Sequence, residues 1–379
     1  LSVTEIAAEY GTPVFIFDEA DVRKRARDYV AAFKVDDIET SVHYAGKAFM
    51  TTKIAQWVSE EGLGIDVASV GELEVAMRAG IDPAQIVMHG NNKSVKDLER
   101  AVEVGIGRVV IDSLIEIERL NSIAASAGIV QQVLLRLTVG VEAHTHEAIS
   151  TAHEDVKFGF SIASGAAWTA VEAVATHPEL ELRGVHCHIG SQIFGSEAHE
   201  IATDRLMGFM AKYRDAYGAE LPEIDLGGGF GISYVDGDVT VEPADVLPQI
   251  HAAVKKACST YNLSMPLVSL EPGRNIVGPT MFTLYEVGTV KDVVIEGGKV
   301  RKYVSVDGGM SDNARTALYD AEYTAVIAQR ASTAPVALTR LVGKHCETGD
   351  IIINEIQLPS DIAPGDLVAT PATGAYGRS

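Results

Sequence analysis

The sequence predicts an α/β protein: a closed (β/α)8, TIM-like barrel over residues 18–277, with a second, mostly β domain made of residues 1–17 and 278–379. Two observations predict it. Between Ser41 and Leu270, short β-branched runs alternate with longer segments whose apolar residues recur every three or four positions. Beyond Gly278 that alternation stops, and strand-like runs separated by turn signals replace it. A chain of 379 residues is also too long for one small core and suits a large barrel plus a further domain.

In chain order, residues 12–17 are strand-like but come before the first barrel strand, so they are assigned to the β domain. Barrel strands are expected at 42–45, 64–68, 85–89, 108–112, 133–138, 182–189, 223–226 and 267–270. Helices are expected between them at 51–61, 70–79, 94–104, 114–127, 164–176, 197–217 and 246–261. Eight parallel strands joined by helices close most economically into a barrel; an open doubly wound sheet is the alternative. In the β domain, 282–287 and 293–295 read as strand, and Glu296-Gly297-Gly298-Lys299 is a hairpin-turn signal before a strand at 302–306.

Composition narrows the function classes. A hydrophobic content of 47% and a charged content of 22% are those of a soluble globular protein. No apolar run approaches the roughly 18 residues that cross a bilayer, and the N-terminal residues show no signal-peptide pattern. A net charge of -21 repels phosphate and argues against nucleic acid as a partner. Three cysteines, Cys187, Cys258 and Cys346, fit a reducing compartment rather than a disulfide framework, and the expected location is the cytoplasm.

Function in such barrels collects at the carboxyl ends of the strands. There the sequence places Lys47, Asp66, His89 with Asn91, Arg136, His188 with Ser191, Gly227 to Gly229, and Glu271 with Arg274. Lys47 alone reads as a surface cation with its stem along the protein. In a closed site it is an amine that can form a Schiff base with a carbonyl. His186 and His188 share one face of a strand, with Cys187 on the other. His186 suits a hydrogen-bonded polar layer, and zinc lacks a third ligand in the sequence. His188-Ile189-Gly190-Ser191 suits a flat ring with a phosphate beside it. Gly227-Gly228-Gly229 after the seventh strand offers backbone N–H groups to a phosphate. In Glu271-Pro272-Gly273-Arg274, the carboxylate can hold a proton on a ring nitrogen and the guanidinium can grip an anion; a turn with a surface ion pair is the plain alternative. The segment 142–147, with His144, His146 and nearby His153, reads as a mobile active-site loop rather than a metal site, and Trp57 and Trp168 as packing residues. Together, a Schiff-base lysine, a stacking histidine, a phosphate loop and a carboxylate for a ring nitrogen are what pyridoxal phosphate requires.

The motifs carry a resemblance over nearly the whole chain. Tyr44-Ala45-Gly46-Lys47-Ala48-Phe49, His89-Gly90-Asn91-Asn92-Lys93, His186-Cys187-His188-Ile189-Gly190-Ser191-Gln192, Gly227-Gly228-Gly229, Glu271-Pro272-Gly273-Arg274, Asp307-Gly308-Gly309-Met310, Cys346-Glu347-Thr348-Gly349-Asp350 and Gly374-Ala375-Tyr376 resemble the diaminopimelate decarboxylases. These are barrel-type, alanine racemase-like pyridoxal-phosphate enzymes that form L-lysine and CO2 from meso-2,6-diaminopimelate at the end of lysine biosynthesis. The resemblance implies that Lys47 carries the cofactor, His188 stacks on its ring and Glu271 pairs with the ring nitrogen. It places Ser191, Gly228, Gly229, Gly273, Arg274 and Tyr376 around the phosphate, and Asp66 and Arg136 in the polar shell beneath. Arg315, Tyr319, Arg274, Glu347 and Tyr376 are implied to bind substrate, and Cys346 to supply the proton to the α-carbon. Cys346 and Glu347 are implied to act in the partner's site, giving a homodimer with shared sites and no metal.

Two departures accompany the resemblance. Gly46 is smaller than the family's usual residue, so a looser lysine turn is expected. Relatives continue beyond Ser379, so the β domain is expected to be incomplete at its C-terminus. Rival readings are an ornithine- or arginine-type decarboxylase, a racemase, a pyridoxal-phosphate-binding relative without turnover, and a Schiff-base aldolase.

Overall fold

The computed structural model describes residues 2–35, 38–141 and 156–377. The segment with His144, His146 and His153 lies outside the described residues. The chain divides into two compact units. One holds Val22–Gly231 and Thr240–Asn275; the other holds the residues up to Asp21, Ile232–Val239, and those from Ile276 onward.

After β1 (Val14–Phe17), the first unit contributes β2 (Thr40–Ala45), β3 (Gly64–Val67), β4 (Ile86–Met88), β5 (Arg108–Ile111), β6 (Gln131–Thr138), the short β7 (Phe160–Ser161), β8 (Leu180–His186), β9 (Glu223–Asp225) and β10 (Leu267–Leu270). Their pairing runs β2-β3-β4-β5-β6-β8-β9-β10 and back to β2, all parallel, so eight strands close into a barrel. The open-sheet alternative is excluded. Because all eight run the same way, every strand's carboxyl end lies on one rim. β8 is shorter than expected, stopping at His186, since Arg136 and Asp225 are its last partners on either side. Cys187 N still donates to Asp225 O at 3.0 Å before the backbone turns at Gly190, with φ +143°.

One helix of the barrel was hidden in the sequence. Glu19–Phe33 is so rich in charge that its apolar stripe, Val22, Ala26, Tyr29 and Phe33, is easily overlooked, yet all four are fully buried. Phe33 stacks on His251 at 4.7 Å, and Arg23 reaches Glu60 and Glu61. The helix therefore lies between helices Thr52–Glu60 and Pro243–Tyr261, in the place a helix following β10 would fill. A helix that precedes the first barrel strand, β2, thus completes the ring.

In the second unit, helix Val3–Tyr10 is capped by Ser2 and Glu5 in a reciprocal capping box. The sheet adds β11 (Met281–Val294), β12 (Val300–Val306), β13 (Val326–Ile327), β14 (Val336–Val342), β15 (Ile351–Pro359) and β16 (Leu367–Pro371), ordered β13-β16-β11-β12-β14-β15 with β1 on β11. β11 pairs with β1 and β16 through its first half and with β12 through its second, the register shifting between Val287 and Thr289. The two strand runs expected at 282–287 and 293–295 are one long strand, and the expected turn follows it at Glu296–Gly298. Tyr285, Val304, Val306, Leu341, Ile352 and Val368 form the core of this unit. Among the described residues, no helix is long and apolar enough to cross a membrane.

Candidate active site

The site is built strand by strand. At the end of β2 the chain enters a single turn, Gly46–Ala48, which Tyr44 secures by donating its hydroxyl to Phe49 O at 2.6 Å. Lys47, on that turn, is exposed and lines a cavity at the barrel rim. The turn is tight rather than loose. A Cβ on Gly46 would lie 2.7 Å from Asp66 O and 3.3 Å from Met50 Sδ, so glycine is what lets β2 and β3 approach here.

Asp66 from β3, His89 after β4, Arg136 from β6, His186 and His188 at the end of β8, and Glu271 after β10 line the same cavity. Glu271 is its electrostatic centre. Its Oε1 lies 3.0 Å from His89 Nε2 and 3.2 Å from His186 Nε2, and His89 Nε2 lies 3.6 Å from Asp66 Oδ1. Burial alone would raise the Glu271 pKa, but the charge of His89 and the close imidazole of His186 hold it well below the ordinary carboxylate range. Asp66 moves the other way: burial, then the Glu271 charge, push it up to about 7. Burial pulls His89 down, yet Glu271 and Asp66 outweigh it and raise this imidazole to about 9. Burial dominates at His186 and lowers it to about 4, and it holds His188 well below the usual imidazole range. Asp225 is likewise pushed well up, by burial and then by the Glu271 and Asp66 charges, while its Oδ1 accepts from Gly227 N at 2.8 Å.

The sequence showed no third partner for a histidine pair. The fold does not give that pair one: it brings His89, not His188, to His186 and Glu271, with donor atoms within 4.8 Å of one another. At neutral pH the proton on His89 competes with any metal for that nitrogen. His188 does not join this group; its Nδ1 faces Gly228 N at 3.4 Å.

Beside Glu271 the glycine loop follows β9. A Cβ on Gly228 would meet Glu271 O at 2.1 Å, and one on Gly229 would meet Gly190 O at 2.4 Å. Gly273 is equally closed in, with the Cβ atoms of Ala45 and Ala48 at 3.0 Å from where its own would stand. Close backbone packing of this kind leaves N–H groups able to surround an anion. Arg274 Nη2 donates to Ser191 Oγ at 2.9 Å, which brings the ends of β8 and β10 together on that side. Gly228→Ala is expected to cost about 1–3 kcal/mol of stability through overpacking and to weaken cofactor uptake. Equilibrium unfolding and a cofactor titration check it.

The remaining residues named from the sequence belong to the β unit. Arg315 is buried at the start of helix Arg315–Tyr319; its Nη1 donates to Tyr323 OH at 2.5 Å and its guanidinium lies 4.4 Å over the Tyr234 ring. Tyr319, Cys346 and Glu347 are exposed. Tyr376 takes a left-handed conformation with φ +58°. Asp225 was missed as a site residue, and His89 was named at its strand end without a role. His89 was visible as a polar strand end, but nothing in the sequence showed which carboxylates it meets.

Residues 19–278 match the family model for the pyridoxal binding domain of pyridoxal-dependent decarboxylases. A diaminopimelate decarboxylase of Mycobacterium tuberculosis is 52% identical over 380 residues, covering 99% of this chain and 84% of that protein. The chain belongs to the diaminopimelate decarboxylase family. The crystal structure of a diaminopimelate decarboxylase from M. jannaschii in co-complex with L-lysine matches with a TM-score of 0.90 at 29% identity, over 99% of this chain and 85% of that one. One from Helicobacter pylori complexed with L-lysine matches at 0.88 and 29%, over 99% and 89%. The family match begins at residue 19, where the helix that completes the barrel also begins.

The residues present fit the family's pyridoxal group. Both oxygens of Asp66 and Oε1 of Glu271 are buried without a well-directed hydrogen bond, so an acceptor is available for a protonated ring nitrogen. The glycine loop with Arg274 and Ser191 suits a phosphate, and Lys47 opens onto the cavity that Asp66 and Glu271 line.

Proposed function

We infer that this protein catalyses the pyridoxal-phosphate-dependent decarboxylation of meso-2,6-diaminopimelate to L-lysine and CO2. The observation that supports it most is Glu271, buried against His89 and His186 in the cavity that Lys47 lines. Family membership supports the choice of substrate.

Lys47 would hold the cofactor covalently through Nζ. When bound, the cofactor supplies a ring that accepts the electron pair left behind as substrate loses CO2. Glu271 keeps a proton at the ring nitrogen, and that positive charge makes the ring a strong acceptor. An arginine there would leave the nitrogen unprotonated and suit racemisation instead. His188, uncharged, offers its flat face to the ring without competing for that proton. Gly228 and Gly229, together with Ser191, Gly273, Arg274 and Tyr376, hold the phosphate, while Asp66 and Arg136 form the polar shell beneath. Cys346 delivers the proton to the α-carbon. Arg315, with Tyr319, Arg274 and Tyr376, receives the substrate's distal carboxylate, and Glu347 its ammonium. A diamine-forming enzyme has no such carboxylate, which gives Arg315 its value in selecting substrate. Each copy lends Cys346 and Glu347 to a second copy, in the cytoplasm; sedimentation at the mass of two chains checks the dimer.

Competing substrates test the reading. Lysine released from meso-diaminopimelate supports it, and putrescine from ornithine as the preferred product would overturn it. Arg315→Ala is expected to raise KM on the order of 10- to 100-fold, the loss of a charge-assisted contact, with cofactor affinity little changed. Equal losses of substrate and cofactor binding would refute that division of labour.

A further inference from the structure

His89 has no task in the reaction as described, yet its place is built with care. Lys93, four residues on, is almost fully buried and donates to Gly90 O at 2.8 Å, Val110 O at 2.6 Å and Glu116 Oε1 at 2.7 Å. These bonds pin the loop that starts at His89, whose own N donates to Val67 O at 2.8 Å. From this anchor the ring reaches Glu271 at 3.0 Å and Asp66 at 3.6 Å, and it meets His186 edge-on at 5.0 Å. We propose that His89 is a positioning residue that acts through Glu271: as a cation between two buried carboxylates, it keeps Glu271 ionised and directed at the cofactor's ring nitrogen. The proposal rests on the function inferred above.

The need for a cation follows from the charges crowded into this end of the barrel. Asp66, Asp225 and Glu271 are all buried, and neighbouring carboxylates cannot all ionise without compensation. His186 touches Glu271 but is lowered to about 4, so it brings a neutral ring; His43, from β2, is lowered to about 4 as well. Arg136 lies 3.9 Å from Asp112. Of the two rings in contact with Glu271, His89, raised to about 9, is the one that carries a charge.

The test uses holoenzyme dialysed against a chelator and loaded with pyridoxal phosphate carrying 15N in its ring, so that NMR reports the proton on that nitrogen directly. In His89→Gln the pH of half-protonation is expected to fall by about one to two units. Turnover is expected to fall on the order of tenfold at similar KM. His89→Asn should behave alike and serves if the glutamine variant does not fold. In the parent protein, labelled-histidine spectra should show His89 as a cation at neutral pH. A neutral His89 in the parent, or a variant that keeps the parental ring-nitrogen midpoint while merely losing stability, would overturn the proposal and leave the inferred function standing. A parent protein that takes up no cofactor on Lys47 would overturn both.

Discussion

Lys47→Ala is expected to give a folded protein that retains no cofactor after borohydride reduction and turns over at less than about one thousandth of the parental rate. Lys47 is exposed on the turn after β2, and removing an exposed side chain away from any cap or core changes stability by about 0.5 kcal/mol or less. The fold should therefore survive, and the loss would report chemistry. In the proposed mechanism one amine both holds the cofactor and releases product, and among the described residues no second lysine lines the cavity to replace it. Mass spectrometry of reduced, digested protein checks the site of attachment, and a thermal melt checks the fold. Cofactor still covalently bound in the variant would move the attachment to another residue.

Glu271→Gln is expected to lower turnover by about 100- to 1,000-fold, the scale seen when one preorganised electrostatic group is removed from an active site. It should also destabilise the protein by about 3–5 kcal/mol, because the imidazolium of His89 loses its nearest counter-charge inside the barrel. The pH dependence separates this from a simple packing defect. His89 has a folded pKa of about 9 against an ordinary 6.5, so its contribution to stability is complete below about 6.5 and disappears as pH rises through about 9. Without Glu271 the folded pKa falls, and the contribution should vanish nearer to neutrality. Unfolding free energies measured between about pH 6 and 10 check the sign. Identical profiles for parent and variant would show that Glu271 does not hold the proton on His89.

Much of the architecture could be read from residue types, for a reason the barrel makes plain. Strands such as Arg108–Ile111 and Leu267–Leu270 are buried short apolar runs, and the helices between them, such as Val95–Val104, carry a strong apolar stripe, so the two periods stand apart. Helix Glu19–Phe33 escaped because its buried positions are scattered among three arginines, a lysine and two aspartates. The excursion of Ile232–Val239 into the β unit escaped because its apolar residues, among them Ile232 and Tyr234, bury against a core contributed by distant sequence. Gly46 misled in the opposite direction. A small residue suggests slack until the carbonyl of Asp66 is seen to fill the space.

The sequence by itself determined the covalent chemistry on offer: which strand ends carry an amine, carboxylates, imidazoles and flexible glycines, and hence which cofactor they suit. Only the tertiary structure decided the protonation states. A side chain's pKa depends on the charges within a few ångströms and on how much water remains. That Glu271 meets His89 and His186, and that Asp66 and Asp225 crowd the same region, follows from closing eight strands into a ring. Spacing along the chain does not record which residues that closure makes neighbours.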